Sequence, residues 1–470
     1  MSFSQIEFII FFAATITALS LSRNNTVKKV ILLLSNFYFY AYFSYYFFIL
    51  LVIAATITFA IGNAIVRSKS HQKLLLSFGI ILNLSVLAYF KYYNFFIESI
   101  LSILPKSQDG FHLVKIIVPL GVSFYIFRFI SYLSDVYKSK QTNITIIQNY
   151  NSLFNFLIYG TFFPIIISGP ISRACHFIPQ LENLSLSPSN IYKGYRLFVI
   201  GLFLKIFLAD RIAPFVNYYF ENYEVFNSLS AWLATTAYTL QIYFDFAGYS
   251  NMAIGLSLML GLNIESNFNF PYISTSLSDF WKRWHITLSE WIRDYIYIPI
   301  GGNRKGYFFK FLNLLIAMTL CGLWHGAAVT FIVWGFFHGL LLIANHFWKD
   351  LTLKLNFKNK SPVYLLLSWI ITFFCVSMLW VIFRAETISQ ALRIIKSLFL
   401  FSNIGIAWYQ PFVIFVVLST VVFHILYLKG VKLINLPIQS KLTPTILFCL
   451  LWLTIVFYPQ EFQPFVYGQF

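Results

Sequence analysis

A chain of 470 residues in which 59% are hydrophobic, 20% aromatic and only 10% charged, with a mean hydropathy of +0.73, lies far from soluble domains, where about a quarter of residues carry charge. That composition excludes a soluble enzyme held by one anchor and specifies a polytopic membrane protein. Thirty-three Lys and Arg residues against 16 acidic ones give a net charge of +17, which fits cytoplasmic basic loops and an anionic ligand or membrane lipid rather than nucleic acid.

Judged against the ~20 residues a bilayer needs, candidate spans fall at roughly 5–22, 30–46, 47–66, 74–90, 113–133, 151–170, 195–209, 230–262, 311–348, 362–383, 409–428 and 444–459. The expected fold is therefore all-α, with short amphipathic and re-entrant helices beside the crossings. No internal repeat or linker divides the chain, so residues 1–470 read as one membrane domain. The first run, IEFIIFFAATITALS, has no base before it and no small-residue cleavage site after it, which makes it a retained helix rather than a signal peptide. Arg23, Lys28 and Lys29 after the first span, and Arg67, Lys69 and Lys73 after the third, place the N-terminus outside and both loops in the cytoplasm. Cys175, Cys321, Cys375 and Cys449 show no paired spacing, so neither a disulfide framework nor a metal site is indicated.

In QIYFDFAGYSNMAIG, residues 241–255, Asp245 stands alone in an apolar span. A buried carboxylate there must accept hydrogen bonds or face a wet cavity; helix-to-helix glue is the simpler role.

The segment SDFWKRWHITLSEWIRDYIYIPIGGNRKG predicts one amphipathic helix over 279–298. Trp281, Trp284, His285, Leu288, Trp291, Ile292 and Tyr295 share its apolar face, while Lys282, Arg283, Ser289, Glu290, Arg293 and Asp294 face away. Ser278 is the expected N-cap, and Pro299 is expected to push Ile298 out of helical geometry. Beyond it, Gly301, Gly302 and Asn303 offer a turn with free amides. For His285 two readings stand: a packing histidine under a tryptophan belt, or a functional group turned inward. The bases Lys282, Arg283, Arg293, Arg304 and Lys305 either follow the cytoplasmic loop rule or form a phosphate-binding vestibule, since Arg forks and Lys point charges suit phosphates.

From residue 311 to 348 there is no Asp, Glu, Lys or Arg, and basic loops bracket the run. A bent hairpin follows, with Gly322, Gly326, Ala327 and Ala328 near its turn and His325 deep inside beside Trp324. An imidazole is costly in such a place and is usually retained for a reason. Cys321, one turn earlier, is a small packing residue or a thiol activated by His325; His338 and His346 read as structural or interfacial. Further on, Arg384, Arg393 and Lys396 fall on the outer side against the charge rule, and the terminal FVYGQF also lies outside.

LAYFKYYNFF (87–96), VPLGVSFYIFRFISYLSDVYK (118–138), FFPIIISGPISR (162–173), GLFLKIFLAD (201–210), QIYFDFAGYSNMAIGL (241–256), DFWKRWHITLSEWIRDYIYIPIGGNR (279–304), LWHGAAVTFIVWGFFHG (323–339), WVIFRA (380–385) and FVYGQF (465–470) together resemble the membrane-bound O-acyltransferases, in the bacterial branch that O-acetylates alginate and peptidoglycan. The resemblance implies about eleven helices around a central tunnel, in the inner membrane of a bacterium. It implies acetyl-CoA as the cytoplasmic donor and an envelope polysaccharide as the final acceptor. It maps the family's near-invariant histidine onto His325 and a second active-site position onto His285. In related systems a small partner, or the acyltransferase itself, ends in Phe-x-Tyr-x-x-Phe with a proposed acyl-carrying tyrosine, which maps onto Phe465, Tyr467 and Phe470; Gly468 stands where Phe is usual.

On that reading the basic vestibule holds the nucleotide end of acetyl-CoA, and His325, neutral against Trp324, takes the proton of the attacking hydroxyl. Tyr467 carries the acetyl group outward to a separate extracytoplasmic, esterase-like transferase, or it is only an interfacial aromatic. Two other classes stay open. One is a proton-coupled transporter or flippase with Asp245, His285 and His325 as a relay; the other is a non-catalytic envelope scaffold.

Overall fold

The computed structural model describes residues 1–103, 116–142, 152–304, 306–355, 361–400, 405–428 and 442–458. Among them the regular elements are helical, and the Phe226–Ile406 pairing is an isolated bridge. Five described stretches are long and apolar enough to cross a membrane: Tyr45–Arg67, Gln72–Leu101, Gly306–His325, Val329–Lys354 and Pro362–Arg384. Three shorter apolar helices join them at Ile6–Leu21, Pro411–Leu426 and Thr443–Val456.

The chain groups into two compact units, residues 1–198 with 252–265, and residues 199–251 with 266–470. In the first, α1 (Ile6–Leu21), α2 (Asn25–Phe43), α3 (Tyr45–Arg67) and α4 (Gln72–Leu87) follow the predicted runs. A π-helical turn, Ala88–Tyr92, then carries α4 into α5 (Tyr93–Ile103). The run expected at 113–133 instead forms α6 over Val122–Thr142, with Arg128, Ser131, Ser134 and Ser139 buried. The run at 151–170 stops after α7 (Leu153–Thr161), where Pro164 leads a 3-10 turn. Arg128 accounts for the polarity of α6: its Nη1 and Nη2 donate to the carbonyls of Tyr159 (2.9 Å) and Gly160 (3.1 Å). A cation thus satisfies acceptors that the end of α7 leaves open. After α8 (Ala174–Phe177), α9 (Pro188–Leu202) leads toward the second unit.

A second π turn, Phe203–Ala209, precedes α10 (Asp210–Glu221), and α11 (Ser228–Met259) is the longest helix among the described residues. The π turn puts Lys205 Nζ 2.7 Å from Asp210 Oδ1 and 2.6 Å from Asp245 Oδ1 on α11. Asp245 is therefore not solitary; its partner lies forty positions away in the chain.

The stretch expected as one helix over 279–298 is three pieces: α12 (Leu277–Trp281), α13 (Ile286–Ile292) and a π turn over Arg293–Tyr297. Ser276, not Ser278, is the N-cap, its Oγ accepting from Asp279 N at 3.2 Å. Ile298 keeps right-handed helical dihedrals ahead of Pro299. The break comes at His285, whose φ is +43°.

The uncharged run folds as a hairpin of α14 (Gly306–His325) and α15 (Val329–Lys354), turning at residues 326–328. Its arms meet at glycines. A methyl group on Gly322 would lie 2.2 Å from the Phe331 carbonyl oxygen, and one on Gly335 would lie 2.3 Å from that of Met318. Small residues at a helix crossing let backbones approach where lipid offers no hydrophobic drive for association. Gly335→Val should therefore force the arms apart at a cost of about 1–3 kcal/mol or more. Loss of the monodisperse peak in detergent-solubilised size exclusion checks this, and a peak of normal height would refute it.

Beyond the hairpin lie α16 (Pro362–Arg384), α17 (Ile388–Phe399), α18 (Pro411–Leu428) and α19 (Leu442–Val456). Two of the three bases that fit the loop-charge rule poorly are partnered: Arg384 Nη2 donates to Asn217 Oδ1 at 3.1 Å, and Arg393 Nη1 lies 2.6 Å from Glu224 Oε1.

Candidate active site

His325 is the last residue of α14, so the helix ends by presenting its imidazole. The ring is 3% exposed and packs edge-on against Trp334 (centroids 5.1 Å apart) and Phe383 (5.4 Å) and against its neighbour Trp324 (4.9 Å). His285, fully buried, packs at 4.6 Å against Phe246 and at 6.1 Å against the same Trp324. The two histidines thus meet one indole, although forty residues separate them in sequence. His285 lies outside the five crossing helices, and burial pushes its pKa down to about 3, so the ring is neutral.

The loop before α12 positions His285. Ile286 N donates to the Asn267 carbonyl (2.9 Å) and Asn269 N to that of Arg283 (3.0 Å), pairing 267–269 with 283–286. The pairing bends the chain into the left-handed region at His285, a conformation His visits more readily than most non-glycine residues. This is why the 3.6-residue periodicity across 279–298 does not persist as one helix.

A cavity of about 310 Å³ runs beside α14, lined by Lys310, Leu314, Ala317, Met318 and Cys321 from that helix. Arg293, Tyr297, Trp281 and His346 also face it. From Lys310 to Cys321 the helix rises about 16 Å. The cavity is basic where Arg293 and Lys310 stand and apolar beyond, and His325, one turn past Cys321, is not among its lining residues. Trp281 packs against Trp334 at 5.9 Å, and Trp334 packs against His325. Cys321 faces the cavity.

Of the bases expected around a phosphate, Arg293 lines the cavity and also holds Asp294 at 2.7 Å. Arg283 is engaged by Asp279 (3.0 Å) and by the Asn269 carbonyl (3.2 Å). Lys282 and Arg304 are exposed and do not line it. Lys305, and Tyr467 with the whole 465–470 motif, lie outside the described residues. Within the glycine turn, Gly301 N and Gly302 N donate to the Ile298 (3.1 Å) and Tyr297 (2.9 Å) carbonyls, and Arg304 N to that of Gly301 (3.1 Å), so neither glycine amide is free. His338 is structural, buried with its Nδ1 accepting from Trp281 Nε1 at 3.3 Å. Among the described residues no three His, Cys, Asp or Glu side chains cluster as metal ligands.

Lys310 and Asn267 are not among the site residues that the sequence points to, and His346, which reads there as structural or interfacial, lines the cavity. Lys310 belonged to the basic loop, and only the helical register of α14 turns it into the cavity. Asn267 carries no local signal, since its partners are seventeen to twenty residues away.

A model of the membrane-bound O-acyltransferase family matches residues 34–385. The chain is 41% identical over 348 residues to a protein of Pseudomonas putida named "Probable alginate O-acetylase", covering 74% of this chain and 69% of that one. It is 37% identical over 350 residues to the peptidoglycan O-acetyltransferase of Helicobacter pylori, covering 70% and 65%. It is 29% identical over 254 residues to the teichoic acid D-alanyltransferase of Bacillus subtilis, covering 50% and 62%. The chain thus spans about two thirds of the length of these relatives. With the family model matched over most of its length and with apolar helices of spanning length, the chain belongs to the membrane-bound O-acyltransferase family and is a multi-pass membrane protein.

Proposed function

We propose that this protein is an O-acetyltransferase of the bacterial inner membrane, moving acetyl groups from cytoplasmic acetyl-CoA toward an extracytoplasmic polysaccharide through a tunnel walled by about eleven helices. The observation that carries the reading is the pairing of His325 and His285 around Trp324 in a buried aromatic enclosure. A neutral imidazole there accepts the proton of an attacking hydroxyl as its oxygen adds to the thioester carbonyl. The C–S bond then breaks, and the departing thiolate recovers that proton from the imidazolium. His285 orients the carbonyl or shares the proton.

Acetyl-CoA carries several negative charges at one end and a small neutral thioester at the other. Arg293 and Lys310 at the basic part of the cavity suit the first, and the apolar run toward Cys321 suits the second. The relatives named for alginate and peptidoglycan O-acetylation support an envelope glycan as the final acceptor.

Tyr467 is the proposed first acceptor, passing the acetyl group to an esterase-like partner outside. Purified protein given acetyl-CoA labelled in the acetyl group should retain about one label per chain on Tyr467, read by peptide mass spectrometry. Equal retention by Tyr467→Phe would remove that step. The transporter reading is separated by the same assay, since it requires flux of an envelope precursor without consumption of the thioester.

A further inference from the structure

We infer that Asn267 is a positioning residue for the reaction: it holds His285 as the tautomer protonated on Nδ1, so that Nε2 is the nitrogen with the lone pair. The inference rests on the proposed place of His285 in the active site.

Asn267 is fully buried in the loop between α11 and α12. Its Oδ1 receives Thr287 Oγ1 at 2.7 Å and Thr287 N at 3.4 Å, and the same oxygen lies 3.3 Å from His285 Nδ1. Its Nδ2 donates to Ser250 Oγ at 3.4 Å. A carboxamide has nearly the same shape when its oxygen and nitrogen are exchanged, so the orientation must come from the partners. Thr287 decides it. A backbone N–H only donates, and an amide nitrogen opposite it would set donor against donor. The atom shared with His285 is therefore the oxygen, and a neutral imidazole facing that oxygen must bring a proton on Nδ1. The other ring nitrogen is then the acceptor, which leaves His285 to share the proton rather than to donate to the thioester carbonyl.

The tautomer decides what the ring can do. A histidine with its proton on Nε2 can donate there but cannot take a proton from a hydroxyl at that atom, and the hydrogen bond made by one ring nitrogen sets the state of the other. Asn267 also acts through its main chain. Its carbonyl accepts from Ile286 N at 2.9 Å and so helps hold His285 at φ +43°, outside the regular helix on either side. One residue thereby fixes both the backbone that aims the imidazole and the protonation pattern of its ring. Ser250 ties this arrangement to α11, the helix whose Phe246 packs against the His285 ring.

The test is solid-state NMR of the full chain in liposomes, labelled with ¹⁵N-histidine. His285 is one of eight histidines and is assigned by the signal lost in His285→Gln. The unaltered protein should show a protonated Nδ1 and a bare Nε2 at that residue. Asn267→Leu should move the ring to the Nε2–H form or a mixture and lower kcat ~10–100-fold with KM for the donor changed less than about twofold. Asn267→Asp keeps an acceptor and should restore the Nδ1–H signal and most of the rate. An Nε2–H signal in the unaltered protein overturns the inference without any variant, so a misfolded Asn267→Leu does not leave it undecided. An Asn267→Leu protein that keeps both the Nδ1–H signal and kcat overturns it as well. Full activity in His285→Gln, with Nδ1–H seen at His285 in the unaltered protein, marks instead the failure of the active-site reading, and it removes Asn267 from the reaction while its hydrogen bond stands.

Discussion

Replacing His325 by alanine is expected to lower acetyl transfer by ~10²–10⁴-fold, the usual contribution of a positioned general base. The side chain sits at the end of α14, 3% exposed and ringed by Trp324, Trp334 and Phe383, so water has little access to substitute for it. His325→Gln is the companion variant. It keeps a polar side chain of similar reach but has no proton acceptor of comparable basicity, so it should lose activity to nearly the same extent while packing better. Release of free thiol from acetyl-CoA with a hydroxyl acceptor present measures the rate, and a melting curve in detergent measures the fold. A rate within about twofold of the unaltered protein in either variant, with an unchanged melt, would show that the proton goes elsewhere.

The largest effect on stability is expected from Lys205→Met. Lys205 Nζ bridges Asp210 at 2.7 Å and Asp245 at 2.6 Å, and the three side chains are 12%, 9% and 1% exposed. Removing the cation strands two carboxylates close together in a poorly solvated place, and breaking a buried pair in this way costs about 3–5 kcal/mol. Asp245→Asn should cost less, because Asp210 still faces the ammonium. Replacing all three with apolar side chains of matching volume should recover much of the loss, since a buried ion pair often contributes little beyond what good packing supplies. Unfolding in denaturant at fixed detergent gives the comparison. If Lys205→Met unfolds at the same midpoint as the unaltered protein, the three groups are not an energetic unit. A firmly bridged Asp245 also weakens the transporter reading, which needs that carboxylate to exchange protons with its surroundings.

The parts of the fold legible in the sequence are those in which a local property decides the outcome. Apolar runs announce α1 to α4, α11, α16, α18 and α19, because a helix in lipid must satisfy its own backbone and needs only length and hydropathy. The hairpin turn after His325 was also legible, since Gly322, Gly326 and the adjacent alanines supply small residues where a helix pair must bend and touch. Failures begin where distant segments intervene. The break at His285 is imposed by main-chain pairing with 267–269, and no periodicity within 279–298 records it. α10 and α17 went unmarked because they are amphipathic rather than uniformly apolar. In the site, His325, His285 and Trp324 were legible as types and come together. The partner of Asp245 was not, because Lys205 reads as an ordinary base near the end of a span until the π turn carries it inward.

Contact between main chains at Gly322 and Gly335 means that no side-chain rearrangement can cushion one arm of the hairpin against the other. The pair is expected to move as a single rigid lever with the His325 ring near its tip. Lateral pressure from a bilayer of different thickness would tilt both arms together, so the spacing between His325 and Trp334 should survive changes of lipid that alter the rest of the bundle.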